Sequence, residues 1–211
     1  IMPKEGLTEI VCIIDKSGSM EAVKEDAIGG FNSFLKEQQE IPGEALVTIV
    51  LFDTAYMVVA DGVPIDKVPP LDERTYRPGG MTALLDAIGL TLDKVQKRIE
   101  ETPVSVKPEK VIVAILTDGL ENSSVEYSGK QILAKVQHKQ QVDCWEFVYL
   151  GANQDAIKEG TSLGIKVDNA MNFASTGDGV RDSYKYMSNA VRSYREKGFV
   201  DKEWKNKGIK H

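Results

Sequence analysis

Two of the most apolar runs in the chain end in the same way, Ile13-Ile14-Asp15 and Leu116-Thr117-Asp118. If both runs are strands of one sheet, the two carboxylates lie at its carboxyl edge, where open α/β sheets bind their ligands. Bare, such a pair repels and one carboxyl is driven to keep its proton; with a cation between them both stay ionised. Asp15 is followed by Lys16-Ser17-Gly18-Ser19. In a tight strand-to-helix loop the alternate positions Ser17 and Ser19 turn toward the same point as Asp15, with Gly18 expected to let the backbone bend. Oxygen donors alone select a hard ion, Mg²⁺ or Mn²⁺, and give no reason to expect zinc. Two hydroxyls and at most two carboxylates neutralise such an ion weakly, and leave coordination positions for water or an incoming carboxylate.

The elements that must position these residues follow from hydrophobic periodicity. Strand-length apolar runs fall at 9–15, 46–52, 56–60, 111–117 and 146–150, with a weaker one at 171–174. Amphipathic stretches at 20–39, 82–101, 129–140, 155–162 and 178–197 separate them, the first carrying Val23, Ala27, Phe31, Phe34 and Leu35 on one face. The gap Asp53-Thr54-Ala55 fits a hairpin, which makes the third strand antiparallel and an edge. Residues 111–117 show no polar alternation, as expected of a central strand covered on both faces. The pattern predicts an α/β fold: a Rossmann-like open, mostly parallel sheet with one antiparallel edge strand and helices on both faces.

The motif Asp15-Lys16-Ser17-Gly18-Ser19 resembles the Asp-x-Ser-x-Ser signature of the metal-ion-dependent adhesion site (MIDAS) of von Willebrand factor A (VWA) domains. Arg77-Pro78-Gly79-Gly80-Met81-Thr82 looks like that family's Gly-Gly-Thr loop, with Met81 inserted before the threonine. Leu116-Thr117-Asp118-Gly119 looks like its Thr-Asp-Gly strand end. The match in motif order covers about residues 8–150. The resemblance implies that Thr82 adds a third hydroxyl and Asp118 the second carboxylate, one or more of them through water. Asp15, Ser17, Ser19, Thr82 and Asp118 would then hold one Mg²⁺ or Mn²⁺ that captures an Asp or Glu of a protein partner. It also implies one VWA domain over 1–211, with a core at about 8–197 and a tail at 198–211. Ligand capture would shift the metal toward Thr82 and be transmitted to the helix at 178–197.

Each piece has a plainer reading. Ser19 and Thr82 are good helix N-caps, and Asp15 and Asp118 could be solvated loop aspartates. Asp53, Glu121 and Asn122 lie near the same edge as hydrogen-bond acceptors or mere loop-shaping residues. Lys16 is expected to point to solvent, and Tyr76 and Arg77 to border a binding face. Among enzymes, a haloacid dehalogenase-type phosphohydrolase also places an aspartate at the end of its first strand beside Mg²⁺. Its acid/base aspartate two residues later is here Ser17, a poor proton shuttle. A serine hydrolase lacks a usable histidine, since His138 falls on the exposed face of a helix and His211 is the last residue. Ser128-Gly129-Lys130-Gln131 lacks the flanking residues of a phosphate-cradling loop. A metal-free interaction domain is the remaining alternative, and a protein-binding module without catalytic activity the preferred one.

With 26 basic against 32 acidic side chains and a net charge of -6, the chain lacks the basic surface that nonspecific nucleic-acid binding needs. Lys197, Lys202, Lys205, Lys207 and Lys210 make a local basic cluster, read as a solvated tail. Cys12 and Cys144 lie in or beside apolar strands and are expected to be buried free thiols in a reducing compartment. No apolar stretch is long enough to span a bilayer, and the first eight residues lack a signal peptide's hydrophobic centre. With Met2 read as the natural start, the expectation is a complete, cytoplasmic protein.

Overall fold

The computed structural model describes residues 2–152 and 155–206. Six strands form one sheet in the order β3-β2-β1-β4-β5-β6. They are β1 (Lys4–Asp15), β2 (Ala45–Phe52), β3 (Tyr56–Pro64), β4 (Pro108–Thr117), β5 (Glu146–Gly151) and β6 (Ala170–Asn172). All pairings are parallel except that of β2 with β3, the hairpin edge. The helices are α1 (Lys24–Glu40), α2 (Leu84–Glu101), α3 (Gly129–Gln141), α4 (Ala156–Ser162) and α5 (Gly177–Lys197). No helix among the described residues is long and apolar enough to cross a membrane.

The missing alternation in β1 and β4 has a simple cause. Ile10, Cys12 and Ile14 of β1 join Ile112, Ala114 and Leu116 of β4 in a core under α1 and α5. The intervening Val11, Ile13, Val113 and Ile115 join a second core under α2, α3 and α4. Both faces are buried over Glu9–Ile14 of β1 and Val111–Leu116 of β4, so every position there is apolar except Glu9, where a partner waits for it.

Glu9 is the exception that is matched. Fully buried in β1, it is gripped by the Arg98 guanidinium of α2 and accepts from the Thr48 hydroxyl of β2 at 2.8 Å. Arg98 also bonds Asp61 of β3 through Nε at 2.8 Å, and Lys94 reaches the same carboxylate at 2.9 Å. This polar seam stitches α2 to β1, β2 and β3.

Several expectations need correction. The chain after Asp15 begins as a 3-10 turn (Gly18–Val23), and α1 proper starts only at Lys24. α2 starts at Leu84, two residues later than the periodicity suggested. Cys144 is exposed rather than buried and adopts a left-handed φ of 56° just before β5. The segment after α5 is no solvated tail: a 3-10 turn (Lys202–Lys205) buries Trp204, and Lys197, Lys202 and Lys205 pair with Asp201, Asp168 and the Ala170 carbonyl. Lys207, Lys210 and His211 lie outside the described residues. His138 is exposed on α3, as expected.

The seam yields a test. Arg98→Met strands a buried carboxylate and should cost about 3 kcal/mol in urea unfolding, and adding Glu9→Gln should recover a substantial part of it. Equal losses for single and double variants would show that the ion pair does not anchor α2.

Candidate metal centre

β1 and β4 are neighbours in parallel register, Ile14 opposite Leu116, so Asp15 and Asp118 emerge side by side at the same edge. Asp15 is fully buried. Its Oδ1 accepts the Ser17 amide at 2.6 Å and its Oδ2 the Thr117 hydroxyl at 2.7 Å. The Ser19 hydroxyl donates to Asp118 Oδ1 at 2.7 Å, the Ser17 hydroxyl lies 3.5 Å from the same oxygen, and the two serine oxygens are 3.1 Å apart. Thr82 closes the group from the α2 side: a Cβ on Gly119 would come within 2.9 Å of its Oγ1. Four of the five expected side chains are thus joined by hydrogen-bond-scale contacts, and the fifth stands beside the residue after Asp118. Asp15, Ser17, Thr82 and Asp118 are buried while Ser19 is exposed, which leaves the cluster open on one side.

Neither hydroxyl is spent on capping. Ser19 lies within the 3-10 turn, and the N-cap position of α2 is Ala83, which has no side chain to offer. The amides at the start of α2 are held from outside its own sequence. Asn122 Oδ1 accepts from Thr82 at 2.9 Å, Glu121 from Leu85 at 2.9 Å, Ser124 Oγ from Asp86 at 3.0 Å, and the Asp53 carbonyl from Ala83 at 3.0 Å. Glu121 and Asn122 therefore cap a helix, and Thr82 is left facing the cluster.

The loop carrying Thr82 is latched to the loop carrying the serines. Gly18 N–H donates to the Gly80 carbonyl at 3.1 Å, Gly79 N–H to the Lys16 carbonyl at 2.9 Å, and the Tyr76 hydroxyl to the Asp15 carbonyl at 2.7 Å. Gly80 is the position that demands glycine: its φ is +65°, and a Cβ would meet Thr54 Oγ1 at 2.9 Å. Gly18, expected to supply the bend, has no left-handed φ, and a Cβ there would only touch the Gly80 carbonyl at 3.4 Å. Tyr76 is corrected from rim to core, for it is fully buried. Lys16 is corrected as well. Instead of pointing freely into solvent it is nearly covered and paired with Asp53. Arg77 is exposed, as expected.

Sequence reasoning gave no role to Thr117 or Asp86, and placed Tyr76 at the rim. Thr117 and Tyr76 orient Asp15, and Asp86 in the first turn of α2 accepts the amides of Val125, Glu126 and Tyr127 at 2.8 to 2.9 Å, shaping the loop after Asp118. The signal for Asp86 was present as an acid inside the otherwise apolar Leu84-Leu85-Asp86-Ala87-Ile88.

Burial pushes the Asp15 carboxyl above its ordinary value, with the Thr117 and Ser17 hydrogen bonds opposing. Asp118 is also raised by burial, opposed by Ser19, and raised further by the charge of Asp15. The cluster is therefore two buried carboxylates that repel, three hydroxyls, and no cationic side chain among them. Among the described residues no three His, Cys, Asp or Glu side chains gather in one place. An ion here would depend on the hydroxyl oxygens, a donor set that suits a hard divalent cation.

No family model matches this chain, and no curated protein matches it. Solved structures do. A von Willebrand factor type A protein from Catenulispora acidiphila is 14% identical with a TM-score of 0.57 over 91% of this chain and 43% of that one. Proximal thread matrix protein 1 from the mussel byssus is 16% identical with a TM-score of 0.60, over 89% and 47%. The PilB minor pilin from Streptococcus sanguinis is 12% identical with a TM-score of 0.58, over 88% and 61%. This chain spans less than two thirds of each. At such identities the likeness concerns the fold, which is VWA-like.

The raised carboxyls make a prediction for the metal-free protein. A carboxyl whose folded pKa lies above its unfolded value near 3.8 favours folding at low pH, and that contribution is lost as pH rises through the folded pKa. In chelator at neutral pH, Asp118→Asn, which still accepts from Ser19, should raise the melting temperature by a few degrees. The difference from wild type should shrink as pH falls toward 4. A variant less stable than wild type at neutral pH would contradict the repulsion.

Proposed function

We propose that this chain is a metal-dependent protein-binding module without catalytic activity, in which Asp15, Ser17, Ser19, Thr82 and Asp118 hold one Mg²⁺ or Mn²⁺. The observation that carries the reading is the meeting of two buried carboxylates with three hydroxyls on the open edge of the sheet. Nothing else in the cluster offsets their charge, so a divalent cation there removes a repulsion and gains ligands in one event. When bound, the ion supplies an electrophilic position for an Asp or Glu carboxylate of a partner protein.

The chain's own residues do the rest. Thr117 and the Ser17 amide fix the Asp15 carboxylate, and Tyr76 fixes the backbone behind it. Asp53 holds the Lys16 ammonium to one side of the donor cluster. The outside caps on α2 keep Thr82 turned inward. The absence of an acid/base group two positions after Asp15, where Ser17 stands, supports the non-enzymatic reading. VWA-like pilin and matrix proteins among the similar structures support a role in protein interaction. Two free cysteines suit a reducing, cytoplasmic location as part of the same proposal.

Calorimetric titration of the metal-free chain with Mn²⁺ or Mg²⁺ should show one site that Asp15→Ala removes while the chain stays folded. A millimolar site at tenfold to twentyfold excess adds only about 1–2 kcal/mol, so folding does not depend on it. An unchanged titration in Asp15→Ala would refute the ligand assignment. Mg²⁺-dependent turnover of a phosphate ester, abolished by Asp15→Asn, would overturn the non-enzymatic part.

A further inference from the structure

Beside the cluster lies a cleft of about 360 Å³ between the start of α2, the loop after β4 and the end of α4. Its walls are Leu84, Leu85, Leu120 and Leu163, and the charged groups that line it are both carboxylates, Glu121 and Glu159. None of the five donor residues lines the cleft, but two of its walls follow them closely along the chain: Leu84 stands two residues after Thr82 and Leu120 two residues after Asp118. Tyr149 links them from below. Its hydroxyl lies 3.4 Å from Glu159 Oε2, and, after burial, the charges of both Glu159 and Asp15 hold its proton on.

The two carboxylates differ in what they have left to give. Glu121 is used up, accepting the amides of Leu85, Ser123 and Ser124 and the Ser124 hydroxyl at 2.7 to 2.9 Å. Glu159 receives only the long bond from Tyr149 and forms no ion pair among the described residues. Leu120 is about half exposed at the mouth of the cleft. An aliphatic occupant would cover the leucines and leave the Glu159 charge under it without a partner, which is costly. An acidic occupant would be repelled. A lysine or arginine satisfies both surfaces, with its methylene stem on the leucines and its charged end on Glu159.

We propose that the partner segment carries a Lys or Arg close to its metal-bound Asp or Glu, and that this basic side chain fills the Leu85–Leu120–Glu159 cleft. The inference rests on the metal-dependent reading above and specifies its partner. One determinant is read by the cation and the other by Glu159. Recognition of a charge pair rather than of a lone acid separates the intended partner from the many acidic segments that a cation alone would accept.

The test uses the whole chain with saturating Mg²⁺, followed by amide NMR. It is titrated with acetylated, amidated peptides containing Asp-Lys, Asp-Ser-Lys or Asp-Ser-Ser-Lys, and with the reversed orders. Controls replace Lys by norleucine, which keeps the stem, or Asp by Asn. At least one spacing should bind about fivefold tighter than its norleucine control, the scale of a half-exposed ion pair. It should also shift the amides of Leu85, Leu120 and Leu163. Glu159→Gln, which can still accept from Tyr149, should erase that preference by weakening the lysine peptide, with the norleucine peptide bound no more weakly than before because the uncompensated charge beneath it is gone, and the amide spectrum reporting the fold. Equal binding of lysine and norleucine peptides, or a lysine preference that survives Glu159→Gln, overturns the inference while metal capture stands. No Mg²⁺-dependent difference between any Asp peptide and its Asn control overturns metal capture and the inference together.

Discussion

Parallel pairing of β1 with β4, Ile14 opposite Leu116, brings two buried carboxylates to one edge of the sheet. Neither strand can slip by one residue, because both of its faces are packed and a slip would exchange the two cores. The hydrophobic registration of the apolar side chains at 10–14 and 111–116 thus sets the meeting of Asp15 with Asp118. The serine loop, the threonine loop and the capping residues are arranged around that fixed repulsive pair. Asp15, with both oxygens occupied, is the immobile member. Asp118, held by Ser19 on the exposed side, is the one nearer solvent.

Around the pair, backbone atoms carry much of the organisation. The Gly80 and Lys16 carbonyls and the amides of Gly18 and Gly79 zip two loops together, so the side chains they bear keep their spacing without contacts of their own. The Glu9–Arg98 seam secures α2 to three strands from the opposite end of the helix. Anchored at its far end by ions and at its near end by outside caps, α2 presents Thr82 from a rigid base.

The layers and the strand order's main features were legible because they follow from periodicity. An apolar run without alternation at 111–117 can only be satisfied in the middle of a covered sheet, and the three-residue gap at 53–55 is too short for anything but a hairpin. The proximity of Asp15, Ser17, Ser19 and Asp118 was legible for the same reason: it follows from strand ends. Side chains in aperiodic segments were not. Nothing local marks Tyr76, in a loop rich in proline and charge, as a core residue, or Lys16 as the partner of Asp53 across 37 positions. Trp204 is buried by docking beyond the last helix, and Cys144 is turned outward by a left-handed backbone. Both are tertiary outcomes that a sequence window does not contain. Capping by Thr82, the plainer alternative, fails because propensity describes what a residue can do, while Glu121, Asn122 and Ser124 arrive from 36 to 40 residues away to hold the start of α2.

That borrowed cap has a mechanical consequence. A helix capped by its own preceding residue can fray one bond at a time, whereas the amides of Thr82, Leu85 and Asp86 are all held by the single four-residue stretch Glu121–Ser124. Lifting the loop strands several donors at once, each at roughly 1 kcal/mol or more. Gradual fraying is thereby replaced by a single cooperative step. The rim behaves as a clasp with a threshold: small fluctuations leave it shut, and one that exceeds the threshold frees the helix start, Thr82 and the wall of the leucine cleft in the same motion.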